Sequence, residues 1–189
     1  MCSSDLGDTI ENPVTGERLV FTATSAETDG KYVRFECFVK PSGFVAAAHL
    51  HPLQEELFEI VEGSMTFKVN GQELPTRPGN RILVPAGTRH QFWNAGDGTA
   101  RFMCEVRPAL QFEQLVEAMF SLAQDGKTNK RGMTREPDRQ LPCRTCTLKA
   151  GKPTVTTHTV FFSRSAAGHV LLRICRCVEC ATLNENCGA

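Results

Sequence analysis

An all-β fold, a small antiparallel barrel followed by one amphipathic helix, is predicted by three features of the chain. Between Arg18 and Arg107, short runs rich in β-branched and aromatic residues follow one another, turn residues punctuate them, and no helical period interrupts them. Six to eight such strands in about ninety residues argue for a sandwich or a closed barrel. Closure favours the barrel, because a small barrel leaves no unpaired edge and supplies an interior pocket.

The elements can be justified in order. RLVFTATS and YVRFECFVK read as strands by composition, with ETDG as the turn between them. In the second strand Val33, Phe35, Cys37 and Val39 alternate with Tyr32, Arg34, Glu36 and Phe38, so one face is apolar and the other mixed, as a half-buried strand requires. ELFEIVEG and SMTFKV come next. Asn70-Gly71 then gives a hairpin signal, since both residues tolerate positive φ. After PTRPGN, the runs RILVP, HQFWN and ARFMCEV complete the set. Pro108 ends the β pattern. In ALQFEQLVEAMFSLAQDG, Phe112, Leu115, Val116, Met119 and Leu122 recur at helical spacing, and Gly126 is placed to cap the helix, whose stripe is expected to pack on the barrel or on a second subunit.

The 189 residues suffice for one domain with a real core. The zero net charge conceals an asymmetry: residues 1–126 hold 10 Lys+Arg against 17 Asp+Glu, whereas residues 127–189 hold 11 against 4. An acidic body has no electrostatic reason to seek nucleic acid, so no nucleic-acid partner is expected for it. No apolar run approaches membrane-spanning length, and MCSSDLGDTI lacks the basic start and apolar stretch of a secretory signal, so no membrane partner and a cytoplasmic location are expected. Cys37 and Cys104, in strand-like runs, read as buried reduced thiols.

Two linked patterns carry the chemistry: Gly43-x5-His49-x-His51-x4-Glu56-x6-Gly63, then Gly79-x5-Pro85-x-Gly87-x2-His90-x3-Asn94. Residues two apart on a strand project to the same face, so His49 and His51 act together. Glu56 starts the next strand in phase with Phe58 and Ile60, where a buried carboxylate is costly unless a metal or cation pairs with it. His90 comes from a later strand, after the turn at Pro85-Ala86-Gly87. Four such donors from three neighbouring segments can converge at about 2.0–2.2 Å on one metal.

Both strings match the two signature motifs of the cupin superfamily at every position, and the 15 residues between Gly63 and Gly79 resemble the short intermotif spacing of small single-domain microbial cupins. The resemblance covers roughly residues 12–108 and implies a cupin barrel, the jelly-roll-like double-stranded β-helix. It also implies that His49, His51, Glu56 and His90 coordinate one divalent metal ion, whether Fe, Mn, Ni, Zn or Cu. Glu55 is the neighbouring acid, but Glu56 alone keeps the six-residue step to Gly63. Gly43, Gly63, Gly79, Pro85, Gly87 and Asn94 match structural positions. Dimers are common among proteins of this kind, so a homodimer is expected.

An apolar pocket is expected, with Phe58, Ile60, Met65, Phe67, Val84, Phe92 and Phe102 as its candidate lining and Trp93 facing outward, toward a dimer contact. No acid, base or nucleophile is spaced for catalysis independent of the metal. Arg34, Arg81 and Arg89 are candidates for anchoring an anionic ligand, each set against a plain solvated surface role. Two functions of the barrel stand side by side. One is a mononuclear divalent-metal enzyme of dioxygenase or isomerase class acting on a small organic molecule; the other is a non-catalytic barrel that binds or senses a small ligand. A third hypothesis is an interaction role for the basic, Cys-rich tail.

The domain reading is therefore an N-terminal segment at 1–11, a barrel at 12–108, a helix at 109–126 and a basic, Cys-rich tail at 127–189. In the tail, Cys143-x2-Cys146 and Cys175-x-Cys177-x2-Cys180 resemble paired zinc knuckles without the usual separation or turn residues. KPTVTTHTVFF and HVLLRICRCV have strand composition but no evident partner. Disorder and an origin outside the native reading frame are the other readings, the latter applying to the CSSDL start as well.

Overall fold

A computed structural model describes residues 5–45 and 47–134 with their side chains, together with the backbone of three strands beyond them. The elements of the body are β1 (Thr9–Asn12), β2 (Glu17–Ala23), β3 (Val33–Val39), β4 (Glu55–Glu62), β5 (Met65–Val69), β6 (Gln72–Thr76), β7 (Arg81–Val84), β8 (His90–Asn94), β9 (Ala100–Arg107) and α1 (Phe112–Gln124). Six strands form one sheet in the order β1-β2-β3-β9-β4-β7, and three form another in the order β6-β5-β8; every pairing is antiparallel. The segment before β4 bridges to β8 at Phe44–Trp93 and His49–His90, which ties the long run between β3 and β4 to the smaller sheet. The architecture is the expected barrel of two facing sheets. It begins slightly earlier than residue 12, because Thr9–Asn12 pair with Glu17–Val20.

Strand alternation decides what enters the interior. On the large sheet the inward residues fall into four rungs. Glu56, Val106 and Val33 share the first; Phe58, Cys104, Phe35 and Phe21 the second; Ile60, Phe102, Cys37 and Leu19 the third; Ala100, Val39 and Glu17 the fourth. All of these side chains are buried. Across the interior, Phe58 and Phe102 of the large sheet meet Phe67 and Phe92 of the small one, with ring centroids 4.9 to 6.3 Å apart. Burying each such ring contributes roughly 1.5–3 kcal/mol, so this quartet is a main source of cohesion between the sheets. Cys37 and Cys104 are free, fully buried thiols, as their strand positions suggest.

The turn residues are accounted for by geometry. Asn70 and Gly71, at φ 49° and 87°, close the β5–β6 hairpin. Pro75 is tolerated because β6 is an edge strand. At Gly63 a Cβ would lie 2.8 Å from the Cα of Ala100, and at Gly43 it would lie 2.8 Å from the Lys40 carbonyl oxygen, so close backbone approach selects glycine at both. Asn94 ends β8 as a buried knot. Its amide donates to the carbonyls of Val39, Lys40 and Gly98 and its Oδ1 accepts from the Gly96 N–H.

Helix α1 starts three residues inside the expected span, after Leu110 at φ 48°. It stops where expected. The N–H of Lys127 reaches the carbonyl of Leu122 and that of Gly126 the carbonyl of Ala123, a Schellman ending with Gly126 in the left-handed region. The helix packs on the barrel of its own chain. Phe112 stacks on Phe35 at 5.4 Å, buried Glu113 accepts from the Ser25 N–H at 2.8 Å, and Gln124 donates to the Glu11 carbonyl. Gln54 secures the entrance to the helix by donating to the carbonyls of Pro108 and Ala109.

Beyond the helix, residues 127–134 turn back on themselves through a Thr128–Thr134 bridge. Three strands follow, β10 (Leu141–Pro142), β11 (His158–Arg164) and β12 (Val170–Arg176), paired in that order. The two strand-like runs of the tail, which have no evident partner in sequence, thus pair with each other. The zinc-knuckle reading of Cys143, Cys146, Cys177 and Cys180, and the reading of the initial Met1–Ser4 stretch, fall outside the described residues. Among the described residues no helix is long and apolar enough to cross a membrane.

Candidate metal centre

The four sequence-selected side chains meet. One donor atom each from His49, His51, Glu56 and His90 lies within 4.8 Å of the others. The backbone dictates this. His49 and His90 exchange N–H···O bonds at 2.9 and 2.8 Å, so they sit side by side on neighbouring segments; His51 follows on the same face, its carbonyl accepting from the Gly87 N–H at 2.8 Å. Glu56 enters from the first rung of the opposite sheet. Glu55, one residue earlier, is exposed on the outer face, which settles which acid enters the site.

Two imidazoles have their orientation fixed from behind. Nδ1 of His49 lies 2.8 Å from the Ala47 carbonyl and Nδ1 of His90 lies 3.1 Å from the Thr88 carbonyl. Each Nδ1–H therefore donates to backbone, leaving an Nε2 lone pair free for the site, as outer-shell partners of metal-binding histidines commonly do. His90 Nε2 approaches Glu56 Oε2 to 2.7 Å and His51 Nε2 approaches it to 3.5 Å, yet none of these three buried atoms has an aligned hydrogen bond. Three buried polar atoms without an aligned partner, converging on one point, cost folding energy unless a cation satisfies them. The donor set of three imidazoles and one carboxylate suits a first-row divalent metal, so the residues fit the implied ion.

Electrostatics agree with that donor set. Burial, reinforced by neighbouring His90 and His51, pulls His49 down to about 3, so it is neutral at physiological pH. Burial alone would raise Glu56, but the imidazoles of His51 and His90 outweigh it and hold the carboxyl at about 2. For His90, burial lowers and Glu56 raises, and Glu56 prevails, so its proton is held more tightly than usual.

A cavity of about 580 Å³ opens from the cluster under α1. Of the expected lining, Phe58, Phe92 and Phe102 do face it, whereas Ile60, Met65, Phe67 and Val84 are closed into the core where the two sheets meet. Its remaining wall comes from β2, β3 and the helix: Leu19, Phe35, Cys37, Phe112, Leu115, Val116 and Met119, with Met133 from the returning segment. Leu53 and Leu110 stand exposed at its rim. Trp93 lies opposite the buried side of β8, half-buried beside Phe44.

The candidate anion anchors lie elsewhere. Arg34 is engaged with Glu105, which Arg107 also contacts, and both arginines flank the Tyr32 ring. Arg81 pairs with Glu59 on the surface at 3.5 Å, and Arg89 does not line the cavity. Three polar residues that line it, Glu17, Gln54 and Gln111, were missed by sequence reasoning, and Glu17 is the one that carries a carboxyl. The signal was available, for Glu17 is in phase with Leu19 and Phe21 on β2.

A barrel of this topology with a His/Glu cluster at its mouth defines the cupin class. A family model described as a cupin domain matches residues 35–106, and the chain carries a cupin domain of that family. Among curated proteins it is 35% identical over 60 residues to polyketide synthase CurC of Streptomyces cyaneus, a match covering 32% of this chain and 39% of that protein. It is 34% identical over 80 residues to quercetin 2,3-dioxygenase of Bacillus subtilis, covering 42% of this chain and 23% of that protein. The chain thus spans less than two thirds of the length of these relatives. A solved structure described as a predicted oxalate decarboxylase from Thermotoga maritima is 20% identical, with a TM-score of 0.49 covering 53% of this chain and 90% of that one.

Proposed function

We propose that His49, His51, Glu56 and His90 hold one divalent metal, and that the protein is a metal-dependent enzyme of dioxygenase or isomerase class acting on a small organic molecule. The observation that carries this reading is the convergence of four donor atoms within 4.8 Å, three of them buried without an aligned hydrogen bond, at the edge of an apolar cavity. The likeness to a quercetin 2,3-dioxygenase lends support to the dioxygenase class. A bound ion would polarise an oxygen donor of the substrate as a Lewis acid or, if redox-active, exchange electrons with dioxygen.

The chain's own residues do the rest. The backbone bonds behind His49 and His90 fix the ring planes, so the donors are preorganised. Glu56 brings one negative charge, which offsets half the charge of a divalent ion in a low-dielectric setting. Phe58, Phe92, Phe102 and Phe112 exclude water around the reacting end and receive the apolar body of the substrate. Leu53 and Leu110 flank the way in.

The test is dioxygen uptake and product formation by protein loaded separately with Fe(II), Mn(II) and Ni(II), across a panel of hydroxylated and carbonyl compounds. Turnover with at least one metal and one compound is expected. Tight ligand binding with every combination silent would replace the enzyme reading with a ligand-binding or sensing barrel.

A further inference from the structure

A second carboxyl faces the same cavity from its other end. Glu17 sits on the fourth rung of the large sheet, opposite Val39, while Glu56 sits on the first. It is 8% exposed and lines the cavity together with Leu19, Phe35 and Cys37. Its rung-mates Val39 and Ala100 offer no polar side chain. Burial dominates its environment, with Thr15 as the one offsetting group, and the Thr15 hydroxyl itself has no aligned partner. A carboxyl in phase with Leu19 and Phe21 costs stability that an apolar residue would not. Among the described residues no cation forms an ion pair with it to repay that cost.

Its position relative to the metal ligands sets a length. From Val106, level with Glu56, to Ala100, level with Glu17, is six residues along β9, roughly 20 Å of strand before the two side chains reach inward. A single-ring ligand held at the histidines is too short to touch Glu17. A ligand of two or three fused or linked rings is long enough, and the intervening walls are apolar and aromatic.

We propose that Glu17 is the second recognition group of this cavity, holding a hydroxyl or carbonyl at the far end of an elongated, mainly apolar ligand whose near-end oxygens face the histidine cluster. The ligand class is therefore a multi-ring molecule oxygenated at both ends. This rests on the metal reading above. Because Glu17 is held up to about 7, its neutral form is available near neutral pH to donate a hydrogen bond as well as to accept one.

The experiment uses the full chain loaded with Zn(II), which is redox-inert, and three probes: 3-hydroxyflavone and its 4′-hydroxy and 7-hydroxy derivatives. All three present the same chelating oxygens; only the derivatives carry a distal hydroxyl. Fluorescence titration is expected to show at least one derivative binding about tenfold more tightly than 3-hydroxyflavone, as a site built around a buried polar group discriminates against a ligand that leaves it unpaired. In Glu17→Leu that preference is expected to fall to about unity, with zinc content unchanged, because 3-hydroxyflavone no longer leaves a buried carboxyl unpaired. Glu17→Gln, which can still hydrogen-bond, is expected to keep part of it. If Glu17→Leu loses zinc or unfolds, Glu17→Met, unbranched like glutamate, takes its place with the same expectation. Equal affinities in the wild type, a preference that survives Glu17→Leu or Glu17→Met, or no binding of any probe to zinc-loaded protein each overturns the role of Glu17 while leaving the metal centre standing. Protein that holds no zinc refutes the metal centre, and the Glu17 proposal with it.

Discussion

Replacing Glu17 with glutamine removes a single titration from an otherwise unchanged interior, and the effect on stability has a definite sign. The carboxyl has an ordinary value of 4.5 when unfolded and is held up to about 7 in the fold by burial, partly offset by Thr15. A group whose folded value is raised binds more protons in the folded state. Its fold is therefore least penalised below pH 4.5, and stability is lost as pH rises through about 7. At ~1.4 kcal/mol per pH unit, the full span corresponds to roughly 3 kcal/mol. The nearest titratable neighbour does not interfere, because burial and then Glu17 itself push the Cys37 thiol well above its usual range, and Arg18 projects to the other face over Phe38. The assay is urea unfolding of wild type and Glu17→Gln at several pH values from 4.5 to 8.5. The two should differ little at the acid end, and the variant should gain up to roughly 3 kcal/mol over the wild type at the alkaline end. A difference that stays constant with pH would show that Glu17 titrates alike in both states, and the account of its burial would be wrong.

Other outcomes follow from the same geometry. Asn94→Ala removes the two amide hydrogens shared among the carbonyls of Val39, Lys40 and Gly98 and the oxygen that accepts from the Gly96 N–H, with Lys40 keeping another donor, the Gly43 N–H, so a loss of roughly 3 kcal/mol is expected in chemical denaturation. Metal affinity should weaken as pH falls, since Glu56 raises His90 and the ion must displace that proton; calorimetry in buffers of different ionisation enthalpy should record proton release on binding near neutral pH.

Much of this was legible in the sequence because strand alternation is a strict code. Val33, Phe35, Cys37 and Val39 point inward on β3 as their spacing implies, and Glu56 enters because it keeps phase with Phe58 and Ile60. The four metal-site candidates could be named because they stand at fixed steps within the two motif strings, the six-residue step to Gly63 separating Glu56 from Glu55. What alternation cannot encode is depth along the barrel. Ile60, Phe67 and Phe58 all face inward, yet of these three Phe58 alone borders the cavity, which continues along β2 and β3 past Leu19, Cys37 and Glu17 while Ile60 and Phe67 are packed into the core. The helix stripe was equally legible, but not the part of the barrel it covers. Its role as a cavity wall depends on Gln54, Ser25 and Glu11, residues far from it in sequence. Glu17 escaped notice for a different reason: in a strand only one residue from the Gly16 turn, an acid reads as a turn residue rather than as an inward one.

The central claim is that His49, His51, Glu56 and His90 form one metal centre, and metal analysis of the single-ligand variants tests it most directly. The account predicts about one divalent ion per chain in the purified wild type and near-complete loss in His49→Ala and His51→Ala, with circular dichroism showing the β fold intact. Stoichiometric metal retained after both substitutions would contradict it.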